Sequence, residues 1–360
     1  MTTLAPFSPA PGLDRGRFVF LIHPRNNVAE DMGVIHPWLA KIPSSWWEKF
    51  FDKMPLRPIV QNRIFASDDG KLLGECVLVP LTPRQLLGRD RALVKKRMDQ
   101  AIDFAHKRGA TIVGLGALTA SVTNGGRKLE SRTDIGVTNG NAFTAAATVA
   151  ATTKAASGIA AKPVIALVGA TGSVGSAVSQ VLGTQGIASK LILVGRNKNK
   201  LQALKDSITE TEVETSTDIG SCTEAQIVVL MTSATEALLK SEHLAPNAIV
   251  IDDTQPRNTE ESLVQERPDV QIIDGGMILT DGLLRKGGYW PIPNNVSFAC
   301  LAETALLTLI NHVGHGVIGD PTLDQVATVQ KLATEYAYLG FDLADPTSFG
   351  KPIAVKGWNA

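Results

Sequence analysis

Three groups of residues in this 360-residue chain have types and spacings that could do chemistry. The first is Gly169-Ala170-Thr171-Gly172-Ser173-Val174-Gly175, which follows the apolar run Val164 to Val168 and opens a helical stretch from Ser173 to Leu182. A strand that turns through glycines into a helix can hold a dinucleotide pyrophosphate. The first glycine permits the tight turn, the second lets the backbone approach the phosphates, and the third lets helix and strand pack closely; the helix N-terminus faces the negative charge. The spacing is GxxGxxG rather than GxGxxG, a variant found among NADP-dependent reductases. Gly169, Thr171, Gly172, Ser173, Val174 and Gly175 are therefore candidate cofactor contacts.

The second group decides which dinucleotide. NAD-binding folds place Asp or Glu at the end of the second strand to hold the ribose 2′-hydroxyl. Here that strand ends Val194-Gly195-Arg196-Asn197-Lys198, with no carboxylate. Arg196 is the natural partner of a 2′-phosphate, with Asn197 beside it and Lys198 or Lys200 assisting. The cofactor expected is NADPH. A solvated basic turn is the bland reading of the same residues. Thr232 and Ser233, in Met231-Thr232-Ser233-Ala234-Thr235, lie where such folds pass the nicotinamide side.

The third is Cys300, in Val296-Ser297-Phe298-Ala299-Cys300-Leu301-Ala302-Glu303. With Ser297 as N-cap, Cys300 falls in the first turn of a helix, where the dipole and free N–H groups favour a thiolate and make a nucleophile. A small buried apolar residue is the alternative, and describes most free cysteines. Glu303, one turn on, either relays a proton or completes the helix start. Cys76 sits in an apolar strand and reads as core; Cys222 reads as structural. The six histidines show no metal-ligand pairing, and there is no Ser-His-Asp set, P-loop or carboxylate pair. No metal is expected.

These residues need elements to position them. Phe18 to Ile22 reads as a strand. Ile59 to Ala66 and Leu72 to Val79 read as a hairpin about Asp68-Asp69-Gly70. A helix is expected from Pro83 to about Lys107, stopped at Gly109, then a short strand, Ile112 to Leu115. An Ala-rich helix opens after Gly140. From Val164, strand patterns at Leu191–Val194, Ile227–Leu230, Ile249–Ile251 and Val270–Ile273 alternate with helical ones, the signature of a parallel sheet covered on both faces. Beyond Ser297 the pattern is helical, to about Val313 and again from Asp320-Pro321 to Gly340. The fold expected is α/β: a Rossmann-type doubly wound parallel sheet, an N-terminal α/β substrate domain and C-terminal helices. The domains expected are 1–157 for substrate, 158–296 for NADP, and 297–360 carrying the candidate nucleophile.

Composition narrows the class. Hydrophobic residues at 44% and charged residues at 19% allow a sizeable core, and 360 residues suit two domains. A formal net charge of zero argues against nucleic acid as main partner. Three cysteines without a CxxC pair suit a reducing compartment, and Met1 to Pro11 holds three prolines and no apolar core of signal-peptide length. A cytoplasmic location and no membrane span are expected. Trp46, Trp47, Phe50 and Phe51 form an aromatic cluster, read as core or groove wall, or as peripheral contact with a membrane or acyl chain.

Four segments together resemble the long-chain fatty acyl-[acyl carrier protein] reductases of the aldehyde-forming, cyanobacterial type. They are Gly114 to Thr119, Thr138 to Ala145, Gly169 to Gly175 with Gly195-Arg196-Asn197, and Phe298 to Glu303. The likeness runs over roughly residues 55–310; Phe143 stands where cyanobacterial members carry His. It implies reduction of an acyl thioester, delivered by acyl carrier protein or coenzyme A, to a fatty aldehyde, with Cys300 carrying the acyl group. Two other functions fit the residues: an NADP-dependent dehydrogenase of a small keto or amino acid with no covalent step, and a non-catalytic NADP-binding regulator.

Overall fold

The computed structural model describes residues 15–24, 28–29, 33, 36–54, 56–88, 90–234, 236–288, 290 and 292–358. Met1 to Pro11 and Thr235 lie outside the described residues. Internal contacts divide the chain into two compact units: Met1–Gly140 with Thr280–Gly319 and Leu332–Phe341, and Asn141–Leu279 with Asp320–Lys331 and Asp342–Ala360.

In the first unit the chain runs β1 (Phe18–Ile22), α1 (Ser44–Lys53), β2 (Ile59–Ala66), β3 (Leu72–Leu78), α2 (Arg91–Lys107), β4 (Ile112–Leu115) and β5 (Gly136–Thr138). β1 lies between β3 and β4, parallel to both, and the β2–β3 hairpin is antiparallel. Gly70, at φ +68°, supplies the left-handed residue of the hairpin turn. Phe18 is opposite Gly74, where any Cβ would strike the Phe18 ring, so the glycine makes room for the aromatic. Leu21, Val77, Ile102, Leu115 and Val137 are fully buried between this sheet and α2. The single helix expected from Pro83 to Lys107 is two. Thr82 and Gln85 form a capping box on Pro83–Leu87, Gly88 ends that turn, and Asp90 caps α2 by accepting the Leu93 N–H. The aromatic cluster splits. Trp47 and Phe51 are buried, while Trp46 stacks on Phe50 and stays 49% exposed. Buried Arg97 donates to the carbonyls of Phe51, Met54 and Leu56, closing the C-terminal end of α1.

The second unit holds α3 (Asn141–Ser157), β6 (Val164–Val168), α4 (Ser173–Gln185), β7 (Lys190–Val194), α5 (Lys198–Asp206), β8 (Glu212–Ser216), β9 (Ile227–Leu230), β10 (Ile249–Asp252) and β11 (Gln271–Asp274). All six strands are parallel, in the order β11-β10-β9-β6-β7-β8. Strand order runs outward from β6 on one side and restarts from β6 on the other, so the switch point of a doubly wound sheet lies between β6 and β9. Ile165, Leu167, Leu191, Val228 and Val250 are fully buried, as strands covered on both faces must be.

The chain then returns to the first unit. β12 (Leu283–Gly287) pairs antiparallel with β2 along five residues, giving a mixed sheet of order β12-β2-β3-β1-β4-β5. α6 (Ala299–Leu309) packs on β1 and β4; Gly114 lacks the Cβ that would collide with Thr304. Every α6 residue except Cys300 is buried. These units differ from the expected succession 1–157, 158–296 and 297–360. α3 goes with the dinucleotide sheet, and 280–319 goes back to the N-terminal one. The cause is strand pairing across more than two hundred positions, which no local pattern announces. Among the described residues no helix is long and apolar enough to cross a membrane.

In the first sheet Glu75 is 4% exposed and paired with Arg108 and Arg63. Burial alone would raise its pKa, but hydrogen bonds and charge from the two arginines hold it below the usual carboxylate range. Arg108→Ala should leave that carboxylate underpaired and destabilise the unit by about 1–3 kcal/mol, below the full cost of breaking a wholly buried pair because Arg108 is partly exposed. Chemical denaturation should show a lower midpoint for the variant, with Glu75→Gln,Arg108→Ala recovering part of the loss.

Candidate nicotinamide-dinucleotide site

Gly169 turns at φ +88°, and a Cβ there would press on the Met231 carbonyl. At Gly175 a Cβ would collide with the Gly169 carbonyl, so α4 can start this close to β6 only with glycine at its third position. Gly172 is different. It is the N-cap of α4 at φ −77°, exposed, and its nearest foreign neighbour is the Gly169 carbonyl at 3.1 Å from an added Cβ. That contact is tight, and the Gly169 carbonyl would have to give by a few tenths of an ångström, but it is milder than the collisions at Gly169 and Gly175. Ser173 and Val174 begin the helix. Asn141, the first residue of α3, donates to the Ser173 hydroxyl at 2.8 Å and fixes it beside the loop. Thr171 is half-buried under Gly195, with its hydroxyl 3.3 Å from where a Gly195 Cβ would stand. Of residues 169–173 only Gly172 is exposed, at the N-terminus of α4, where a phosphate group would be favoured.

Arg196 is exposed at the end of β7. Asn197, expected beside the cofactor, has its side chain engaged in capping α5, where it accepts the Lys200 N–H at 3.0 Å. On the other side of β6, the loop after β9 is held from below. Thr232 donates to Asn258 Oδ1 at 2.5 Å, and Asn258 Nδ2 donates to the carbonyls of Ala234 and Glu236. Asn258 is fully buried, and Asp252 at the end of β10 accepts from its N–H and from the hydroxyls of Thr254 and Thr259. Thr232 thus shapes this loop through Asn258, while Ser233 is exposed on it.

Asp253 and Asn258 went unrecognised in the sequence. For Asp253 a signal was present, since it follows the apolar strand Ile249 to Ile251 and so stands at a strand's carboxyl end, where ligands of doubly wound sheets bind. Asn258 had none, because its partners are 22 to 26 residues away in a loop. Asp253 accepts from the Thr148 hydroxyl of α3 at 2.6 Å, and burial pushes its pKa up to about 7 against the lowering effect of that bond.

In the first unit, Phe298 rather than Ser297 is the N-cap of α6; Ser297 is buried in a hydrogen bond with Thr280. Cys300 is nonetheless in the first turn and half-buried. Gly140, at φ +76°, packs against its Cα and Cβ with no space for a side chain. Glu303 does not stand ready to relay a proton. It is fully buried, and the Thr138 hydroxyl donates to its Oε1 at 2.5 Å, tying α6 to β5. Cys76 and Cys222 are buried, and burial pushes both thiols up to about 12, out of reach of thiolate chemistry near neutrality. Among the described residues no group of three or more His, Cys, Asp or Glu could hold a metal ion.

Residues 151–274 match the family model for shikimate / quinate 5-dehydrogenase. With the glycine loop at the switch point of an all-parallel sheet, the second unit has the doubly wound fold of dinucleotide-binding domains. Over 354 residues, 94% of the chain, it is 28% identical to Aminotransferase PigE of Serratia sp. (strain ATCC 39006), and spans 41% of that protein's length. Among solved structures it is similar to the iminosuccinate reductase of Paracoccus denitrificans, at 19% identity over 56% of this chain and 65% of that one, with a TM-score of 0.32. It is also similar to a probable ornithine cyclodeaminase of Bordetella pertussis Tohama I, at 13% identity over 88% and 97%, with a TM-score of 0.30. Likenesses at that level say nothing of substrate. The resemblance to fatty acyl-[acyl carrier protein] reductases is overturned: the glycine-loop region that carried much of it matches the shikimate / quinate dehydrogenase model, and the curated relative is an aminotransferase.

Gly172→Val and Gly175→Val should therefore fail differently. Gly172→Val should lose dinucleotide binding at a small cost in unfolding midpoint, because its Cβ only presses on the Gly169 carbonyl while its side chain occupies the exposed N-cap position. Gly175→Val should be destabilised as well, by about 1–3 kcal/mol of overpacking. Thermal unfolding and fluorescence titration of both variants would decide; normal titration of Gly172→Val would mean that the phosphates lie elsewhere.

Proposed function

We propose that the chain is an NADPH-dependent dehydrogenase of a small keto or amino acid, working without a covalent intermediate. The observation that carries this reading is the pairing of the glycine turn, with Gly172 exposed at the N-cap of α4, and an exposed Arg196, with no carboxylate, at the end of β7. In such an arrangement the α4 N-terminus and the backbone of 169–173 hold the pyrophosphate, and Arg196 holds a 2′-phosphate. The loop held by Asn258 then borders the nicotinamide. The bound dinucleotide would supply a hydride. The substrate class is supported by the description of the matching model, shikimate / quinate 5-dehydrogenase, and by the relative's name, an aminotransferase. Both are properties of those proteins, and the step to this chain is ours.

Arg196→Ala should raise the KM for NADPH far more than that for NADH. The lost charged contact is worth about 1.5–3 kcal/mol, roughly ten- to a hundredfold. Initial rates with both cofactors, over a panel of 2-oxo acids with and without ammonium, would test it. Equal use of both cofactors by the unmutated protein would sink the NADP preference.

One observation favours a second reading, reduction of an acyl thioester through Cys300. Its thiol is in the first turn of α6 and is the half-buried one of the three, in a helix otherwise buried throughout. On that reading Cys300→Ala should lose thioester reduction yet keep NADPH affinity, and mass spectrometry should find the acyl group on the peptide containing Phe298 to Glu303. On the dehydrogenase reading the alanine variant stays active and no adduct forms.

A further inference from the structure

The position of Asp253 identifies a group that the cofactor site still lacks. In the sheet order β11-β10-β9-β6-β7-β8, the glycine loop follows β6 and Arg196 follows β7. The adenosine half of a dinucleotide must then extend over β7, and its other half over β9 and β10, since ligands of such sheets lie beyond the carboxyl ends of the strands. Asp253 is the first residue beyond β10, anchored there by its N–H to the Leu230 carbonyl of β9.

Its surroundings are built around it. Gly275 and Gly276 run past it as bare backbone; a Cβ on Gly275 would stand 2.8 Å from Asp253 Cα, and one on Gly276 would collide with its Oδ1. The Thr148 hydroxyl donates to Oδ2. From α3 it therefore meets a hydroxyl, from 275–276 only main chain, and from its own strand the carboxylate of Asp252. Among the described residues no cation acts on it. Asp252 is already engaged by Thr254, Thr259 and the Asn258 N–H. Asp253 differs: it is half-buried, holds one hydroxyl partner, and has its proton in balance near neutrality.

We propose that the Asp253 carboxyl lies against the nicotinamide ring and carries the proton that travels with the hydride. This deepens the dehydrogenase reading and rests on it. In the reducing direction the carbonyl or imine carbon gains the hydride, and its oxygen or nitrogen gains the Asp253 proton. The O–H bond of the carboxyl breaks as the new O–H or N–H bond forms, NADPH leaves as NADP+, and the carboxylate recovers its proton from solvent. Oxidation of an alcohol or amine runs the same steps in reverse. Thr148 is the positioning residue, fixing the carboxyl through its hydrogen bond.

Placement against the ring has a consequence that needs no substrate. The oxidised ring is positive and the reduced ring neutral, so bound NADP+ must favour the Asp253 carboxylate and bound NADPH must not. The ratio Kd(NADP+)/Kd(NADPH) of the full chain, measured by calorimetry, should therefore fall as pH rises, by roughly five- to tenfold between about pH 5.5 and about pH 8.5 for a displacement of about one pKa unit. The 2′-phosphate titrates in both forms and cancels. In Asp253→Asn the ratio should stay constant with pH while NADPH still binds. With any 2-oxo acid or imine that the wild type reduces, Asp253→Asn should lose about a hundredfold or more in kcat. A wild-type ratio independent of pH, or a pH-dependent ratio that survives in Asp253→Asn, overturns the proposal. A protein that binds neither cofactor overturns it together with the dehydrogenase reading. A ratio that follows Asp253 in a protein reducing no acid of the panel upholds the placement and removes the substrate class alone.

Discussion

The second unit depends on one close approach of backbones, where β6 turns into α4. The Gly175 backbone lies against the Gly169 carbonyl, and Gly169 itself lies against the Met231 carbonyl at the end of β9. Those contacts set the distance between helix and sheet, bring β6 and β9 together at the switch point, and leave the α4 N-terminus facing outward. A methyl group at either position would move all three. Gly172, between them, is under a weaker demand, its added Cβ standing 3.1 Å from the Gly169 carbonyl.

Around that turn, polar groups are divided between structure and chemistry by how many partners they hold. Asp252 is buried and accepts four times from its own loop, so its charge is spent on geometry. Asn258 passes that geometry on to Thr232 and the loop after β9. Asp253, one residue further, holds a single hydroxyl and keeps a proton in balance near neutrality because burial opposes its ionisation. In the first unit Glu303 is buried and tied to Thr138, while Cys300 is the half-buried residue of a helix otherwise wholly buried.

The elements around the candidate dinucleotide site were legible because their signals are local. An apolar run of five, a glycine at each of three spaced positions and a strand end without carboxylate are all read within a few residues, and the parallel strands of the second unit fall where the apolar runs place them. β8 was missed because Glu212–Ser216 carries charged and polar residues at the sheet's edge, where one face is solvated. Reading the Cys300 segment as the mark of one reductase family was the error. The types and spacing of Phe298 to Glu303 are also what a buried helix start next to a glycine requires, so the pattern had a packing cause as well as a chemical one.

The sequence by itself determined the elements whose causes lie within one turn or one strand: the glycine loop, the hairpin about Gly70, the stop at Gly109, and the absence of a carboxylate after Val194. Tertiary structure alone decided which unit each stretch serves and which side chains remain available. β12 joins β2 by hydrogen bonds between segments far apart in the chain, and either edge would satisfy its local preference equally well. Ser297, Asn197 and Glu303 looked available as a cap, a cofactor contact and a relay; each was claimed by a different partner once the chain folded. Hydrogen-bonding capacity is a property of the residue, but its use depends on what the fold brings within 3 Å or so.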